Sequence, residues 1–196
     1  FKKSKIIIFD KLTYAGNKFY IKNIINSPRV KFVRGDINNY HSYSKLLNKV
    51  DLAINIAAES HVDHSFTNPI SFSLTNTVGA HTFLLNCINN KVKKIVHISS
   101  DEVYGEKLSG KCNESQGIAP TNPYSASKAA AEVIINSHKY SYKKEIITVR
   151  GNNVYGIRQY PEKLIPRCIT NLLKNKKIPI HGRGNNIRHY LSAKDF

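Results

Sequence analysis

The strongest constraint on the fold of this chain is an alternation. Five short apolar runs recur along it: Lys5-Ile6-Ile7-Ile8-Phe9-Asp10, Val30-Lys31-Phe32-Val33-Arg34-Gly35-Asp36, Asp51 to Ala58, Ile95 to Ser100, and Ile146 to Arg150. Runs of this length, rich in Ile and Val and ending in polar residues, read as buried parallel strands. Between them lie segments at helical spacing: Tyr40 to Lys49, Ile70 to Asn90 on a mixed period, and the Ala-rich Tyr124 to Tyr142 entered through Asn122-Pro123. Strands and helices alternating at these lengths predict an α/β fold, a doubly wound parallel sheet with helices on both faces. After Arg150 the texture changes. Asn152 to Gly156 reads as a loop, Pro161 to Lys174 as a helix entered through Pro161, and Ile178-Pro179-Ile180-His181 as a short strand.

Composition removes several function classes. Thirty Lys and Arg against thirteen Asp and Glu leave a formal charge of +17, which invites a nucleic-acid reading. The basic residues, however, are dispersed among Asn and Ile, as in Lys22-Asn23-Ile24-Ile25-Asn26. A solvated basic surface is the better expectation, with no nucleic-acid partner and a preference for an anionic small ligand such as a nucleotide diphosphate. Cys87, Cys112 and Cys168 are odd in number and widely spaced, as expected of reduced thiols in a cytoplasmic protein. His61 and His64 form the one close histidine pair, and without partners at ligand spacing no metal site is expected. No apolar run reaches the length of a membrane span. The chain begins at Phe1 and stops just after an apparent strand, so the expectation is a piece of a longer protein.

Chemistry concentrates in two stretches. Ser99-Ser100-Asp101-Glu102-Val103-Tyr104-Gly105 follows a strand, where ligands of open α/β sheets bind. Tyr124-Ser125-Ala126-Ser127-Lys128 places a phenol and an ammonium one helical turn apart. Taking a hydride from a carbinol requires its hydroxyl proton to leave as well. Tyr124 can accept that proton if a neighbouring ammonium, Lys128, favours its phenolate, and Ser100 can bond the same oxygen. Asp101 and Glu102 add a carboxylic acid and a carboxylate base for a further proton transfer. On an extended strand these neighbours point apart, so the backbone must bend there. Asp10, at a strand end, suits a carboxylate that accepts bonds from both hydroxyls of an adenosine ribose. That requires a strand and glycine-rich turn before Phe1, and no G-x-G-x-x-G occurs near the start.

Six ordered stretches together resemble the nucleotide-sugar 4,6-dehydratases of the extended short-chain dehydrogenase/reductase family. They are Asp10 to Asn17, Gly35-Asp36-Ile37, Ala57-Ala58-Glu59-Ser60-His61-Val62-Asp63, Ser100 to Gly105, Tyr124 to Lys128, and Asn152 to Gly156 with Gln159 to Pro166. The likeness continues to Gly182 to Arg188 and covers nearly the whole chain. It implies a Rossmann-like sheet lacking its first strand and glycine turn over residues 1–150, an NAD-binding domain, and the start of a substrate lobe over 151–196. It further implies that Asp10, Lys11, Leu12 and Thr13 hold the adenosine ribose of NAD, and Asp36 and Ile37 the adenine. Ala57, Ala58, Glu59, Ser60 and His61 would line the cofactor, with Ser60 reaching towards substrate and Thr75 near the nicotinamide half. Tyr124 and Lys128 would serve both catalysis and the nicotinamide ribose.

By the same resemblance, Asn153, Lys163, Leu164 and Arg188 would contact the nucleotide sugar, where two cations suit a diphosphate. The implied reaction turns dTDP-glucose, or UDP-glucose next, into its 4-keto-6-deoxy derivative in a homodimer: after oxidation at C4, Glu102 is the base that removes the C5 proton and Asp101 the acid that protonates the departing C6 hydroxyl. The 196-residue piece alone is expected to bind NAD poorly or not at all and to be inactive. A C4 epimerase, which needs Ser100, Tyr124 and Lys128 but no carboxylate pair, and a non-catalytic nucleotide-binding paralogue remain as alternatives.

Overall fold

A computed structural model describes residues 4–107, 110–180 and 182–196. The chain divides into two compact units, Phe1–Arg150 and Gly151–Phe196.

The first unit is a parallel α/β assembly. Strands β1 (Ile6–Asp10) and β2 (Val30–Arg34) pair in parallel, with Ile6 opposite Val30 and Asp10 opposite Arg34. A second sheet holds β3 (Leu52–Asn55), β4 (Lys94–Ser100) and β5 (Glu145–Gly151) in that order. β3 and β4 are parallel, with Asn55 opposite His97. Helical crossovers connect the strands: α1 (Tyr40–Tyr43), α2 (Val62–Thr67), α3 (Pro69–Phe72), α4 (Ala80–Asn89) and α5 (Pro123–Tyr142). This is the Rossmann-like parallel architecture that the alternation predicts.

Local sequence explains where these elements begin and break. The expected helix from Tyr40 tightens after Tyr43 into a 3₁₀ turn, Ser44–Leu47. The mixed period after Ile70 has a physical source: Ser73–Gly79 is a π-helical turn between α3 and α4, which rotates the apolar face. Phe72 and Leu84 are therefore buried while Leu74 and Val78 are exposed. α5 starts with a capping box, Asn122 accepting from the Ser125 amide and Ser125 from the Asn122 amide, with Pro123 in the first turn. It ends at Lys143 in the left-handed region.

The core sits between the second sheet and its helices. Tyr43, Leu47, Ala53, Leu84, Cys87, Val92, Ile95, Ile135 and Ile146 form one buried cluster, with Phe9 packed against it. Only one side of β3 contributes: Ala53 and Asn55 are buried, whereas Leu52 and Ile54 are exposed. No described helix is long and apolar enough to cross a membrane.

The second unit corrects three expectations. Asn153–Tyr155 is not a loop but strand β6, paired in parallel with β7 (Tyr190–Ser192). The helix here, α6 (Leu164–Leu173), starts three residues after Pro161, with Lys163 as its cap residue. Residues 178–180 form no strand, and His181 lies outside the described residues. β6 becomes a strand because the later segment from Tyr190 satisfies its backbone groups, a pairing that local composition does not announce.

Candidate active site

β4 ends where the chemistry begins. Ser100 is its last extended residue, and the backbone then turns directly into a 3₁₀ turn, Asp101–Tyr104. The Ser100 hydroxyl oxygen caps that turn by accepting from the Glu102 amide at 3.2 Å. The bend required to put two adjacent carboxylates to common use is thus present. Gly105 closes the turn at φ +80, and a Cβ there would lie 2.1 Å from the Ala119 carbonyl oxygen, so glycine is obligatory.

The start of α5 is tied to the same turn. Asn122 caps the helix with its side-chain oxygen and donates from Nδ2 to Glu102 Oε2 at 3.0 Å. Tyr124, in the first turn of α5, packs edge-on against Phe72, with the Ser100 hydroxyl near its phenol. Burial pushes that phenol up to about 12; the Ser100 hydroxyl works against the rise, and the Glu102 and Asp101 carboxylates add to it. Lys128 is buried one turn on, and its ammonium donates to the Ile98 carbonyl at 2.5 Å. Burial brings Lys128 down to about 8, against the upward pull of Glu132. Burial is the largest influence on both groups, and the Ser100 hydroxyl works against the rise of Tyr124.

The next segment over, residues 57–61, is fixed from the side by a residue that the sequence did not single out. Asn76, in the π-helical turn, accepts from the Glu59 amide at 2.8 Å and donates to the Glu59 carbonyl and to Ser127 Oγ, both at 2.9 Å. Thr77 donates to the Ser127 carbonyl at 2.9 Å. Asn76 thereby joins the loop after β3 to the helix of Tyr124 and Lys128. Thr75 precedes it, half-buried. His61 caps α2, its Nδ1 accepting from the His64 amide at 3.3 Å.

At the first sheet, Asp10 and Asp36 end parallel neighbours. Asp10 Oδ1 accepts from the Leu12 amide at 2.6 Å, with Leu12 in the left-handed region. Asp36 Oδ1 accepts from the Asn38 amide at 2.9 Å, and Lys11 Nζ lies 2.7 Å from Asp36 Oδ2. Burial acts to raise Asp36, but the Lys11 and Asn38 contacts outweigh it and hold its carboxyl below the usual range. Ile37 is buried, its carbonyl bonded by the Tyr43 hydroxyl at 3.1 Å. Thr13 and Ala57 are exposed, as is Ser60, while Ala58 and Glu59 are half-buried. The structure thus brings Asp10, Lys11, Leu12, Asp36 and Ile37 together, and Ser100, Asp101, Glu102, Tyr124 and Lys128 together.

Within the second unit, Asn153 lies on β6 and Lys163 and Leu164 at the start of α6. Its backbone amide donates to the carbonyl of His189, next to Arg188, at 3.3 Å. The strand pairing therefore places Arg188 beside the Asn153 ladder. Asn153 Nδ2 is buried with no partner among the described residues.

Known proteins match this arrangement. The chain is 42% identical to a dTDP-D-glucose 4,6-dehydratase of Dictyostelium discoideum, covering 100% of this chain and 48% of that protein. It is 42% identical to a trifunctional UDP-glucose 4,6-dehydratase, 3,5-epimerase and reductase of Arabidopsis thaliana, over 97% of this chain and 30% of the relative. A crystal structure of a dTDP-glucose 4,6-dehydratase from Streptomyces venezuelae with NAD and TYD bound superposes with a TM-score of 0.95 at 38% identity, covering 97% of this chain and 59% of that one. The chain spans about half or less of the length of these curated relatives. The family model described as GDP-mannose 4,6 dehydratase matches residues 2–196, and the chain belongs to that family.

Proposed function

We propose that the protein is an NAD-dependent lyase that dehydrates a nucleotide-activated glucose, dTDP-glucose first and UDP-glucose next, to its 4-keto-6-deoxy form. The observation that carries this reading is the convergence of a hydroxyl, a phenol and two carboxylates at one strand end, with Asn122 bonded to Glu102, the Glu102 amide bonded to Ser100, and Ser100 near Tyr124. The relatives' names support the substrate class.

The residues present fit NAD. Asp10 and Asp36 offer acceptors at adjacent strand ends, and Asp36 stays ionised at neutral pH. Asp10 to Thr13 would hold the adenosine ribose, Asp36 and Ile37 the adenine, residues 57–61 and Thr75 the middle, and Lys128 with Tyr124 the nicotinamide ribose. When bound, the nicotinamide supplies a hydride acceptor and donor. Tyr124 takes the C4 hydroxyl proton, and Ser100 bonds that oxygen and eases the phenol's ionisation. Glu102, oriented by Asn122, removes the C5 proton, and Asp101 protonates the departing C6 hydroxyl. Asn153, Lys163, Leu164 and Arg188 would hold the sugar nucleotide, the cations meeting its diphosphate. The same reading has the protein act in the cytoplasm, which three free cysteines support. It pairs with itself through the α3–α4 run and α5, where exposed Leu74, Val78 and Val133 offer an apolar surface.

The test is product analysis of the full-length protein with NAD and each sugar nucleotide. A 4-keto-6-deoxy product that disappears in the D101N/E102Q variant supports a dehydratase. Inversion at C4 that survives in that variant identifies a C4 epimerase instead.

A further inference from the structure

An ion pair between buried Glu132 and half-buried Arg150 has no part in the chemistry so far. Glu132, one helical turn after Lys128 on α5, is 2% exposed. Arg150 on β5 grips it through Nε at 3.1 and 3.0 Å and through Nη2 at 2.7 Å. The same guanidinium lies 4.5 Å over the ring of Tyr104, the last residue of the turn of Asp101 and Glu102. One guanidinium therefore joins α5, β5 and the carboxylate turn.

We propose that Glu132 and Arg150 are positioning residues for the reaction described above: Glu132 sets a carboxylate one helical turn from Lys128, and the pair locks the helix of Tyr124 and Lys128 to the turn of Asp101 and Glu102. The proposal rests on that functional reading. A buried ion pair is a poor stabiliser, because desolvation offsets its attraction and apolar residues of the same size would serve packing as well. Its distinct capability is its field.

The groups around Lys128 show where that field acts. On its own helix stand Tyr124 and Glu132; from β4 comes His97, which burial and the Lys128 charge push down to about 3, so that it stays neutral across the working range. Asp101 and Glu102 on the turn act on Tyr124, and Arg150 on β5 meets Glu132. Glu132 is thus the group that offsets the burial of Lys128. Without its charge, Lys128 gives up its proton at lower pH, and a neutral amine no longer favours the Tyr124 phenolate. Arg150 grips both Glu132 oxygens and lies over the Tyr104 ring, a geometry that lysine cannot reproduce.

The experiment uses the full-length protein with NAD and its sugar nucleotide, and compares wild type with E132Q, E132D and E132M/R150M. The double variant removes both charges at once, so no orphaned ion remains to unfold it. The expected result for E132Q and E132M/R150M is a kcat lower by about tenfold or more with KM within about threefold, and an alkaline limb moved down by about one pH unit. E132D, which keeps the charge, retains the wild-type limb. A double variant with wild-type thermal stability, kcat and alkaline limb overturns the proposal. A wild-type protein that converts neither sugar nucleotide overturns the functional reading instead.

Discussion

The two sheets of the first unit solve the same problem in different ways. On the β1–β2 pair no strand residue is buried, and the carboxylates at its ends are oriented by their own neighbours: Asp10 by the Leu12 amide, Asp36 by that of Asn38. On the β3–β4–β5 sheet Ser100 and Lys128 are buried, Asp101, Glu102 and Tyr124 are half-buried, and partners come from elsewhere in the chain. Lys128 reaches the Ile98 carbonyl, Asn122 reaches Glu102, and Asn76 reaches both Glu59 and Ser127. A site that only binds can be assembled from local turns, since a solvated carboxylate needs little more than orientation. A site that moves protons needs shifted acidities, and only burial with specific partners provides those.

The contrast can be broken at its strongest point with Tyr124→Phe. Turnover should fall by roughly three orders of magnitude or more while thermal stability stays near wild type, because only the proton acceptor is lost. Turnover within tenfold of wild type would remove Tyr124 from the chemistry and leave the buried sheet with no special role.

The next largest effect concerns acid stability. His97 sits buried with Nδ1 bonded to Asn55, and its ordinary value of 6.5 is pushed down to about 3. The unfolded chain therefore binds a proton that the folded one refuses between these values. The stabilisation is complete above the unfolded value and is lost as pH falls below it, at up to about 1.4 kcal/mol per pH unit. Denaturant unfolding followed from neutral pH to pH about 4 should show this slope, and His97→Gln should flatten it. An unchanged slope in His97→Gln would show that other groups carry the acid sensitivity.

The exposed sheet should answer differently. Asp10→Ala should weaken NAD binding by about 10- to 100-fold, the range for hydrogen bonds to a charged group, with turnover at saturating NAD within a few-fold of wild type. Calorimetry and steady-state kinetics separate the two; a collapse of turnover would mean that the strand end does more than bind. Smallest of all is Lys11→Ala. Its ion pair with Asp36 is exposed, so stability should change by less than about 1 kcal/mol, and by still less at high salt. A larger loss would show that the first sheet depends on tertiary contacts after all.

The parts of the site that could be read ahead of the structure are those with short-range causes. Tyr124 and Lys128 are one helical turn apart, and Asn122-Pro123 marks the helix start by its own chemistry. Asp10 and Asp36 close turns with amides two residues on. Glu132, Arg150 and Asn76 were passed over because nothing local sets them apart from other polar residues. Their partners lie 18 residues away for the ion pair and 51 for the Asn76–Ser127 bond. β6 was missed for the same reason, since its partner strand begins at Tyr190.

The sequence by itself determined the alternation of strands and helices, the helix caps, the acids at strand ends and the spacing of phenol and ammonium, all of which follow from steric and hydrogen-bonding rules acting over a turn or two. The tertiary structure decided which of those groups are buried and beside what. It bent the chain after Ser100 so that Asp101 and Glu102 share one turn with Tyr124 close by, and it set Glu132 rather than solvent behind Lys128. Acidity depends on desolvation and on charges brought in from distant segments, and no local rule contains either.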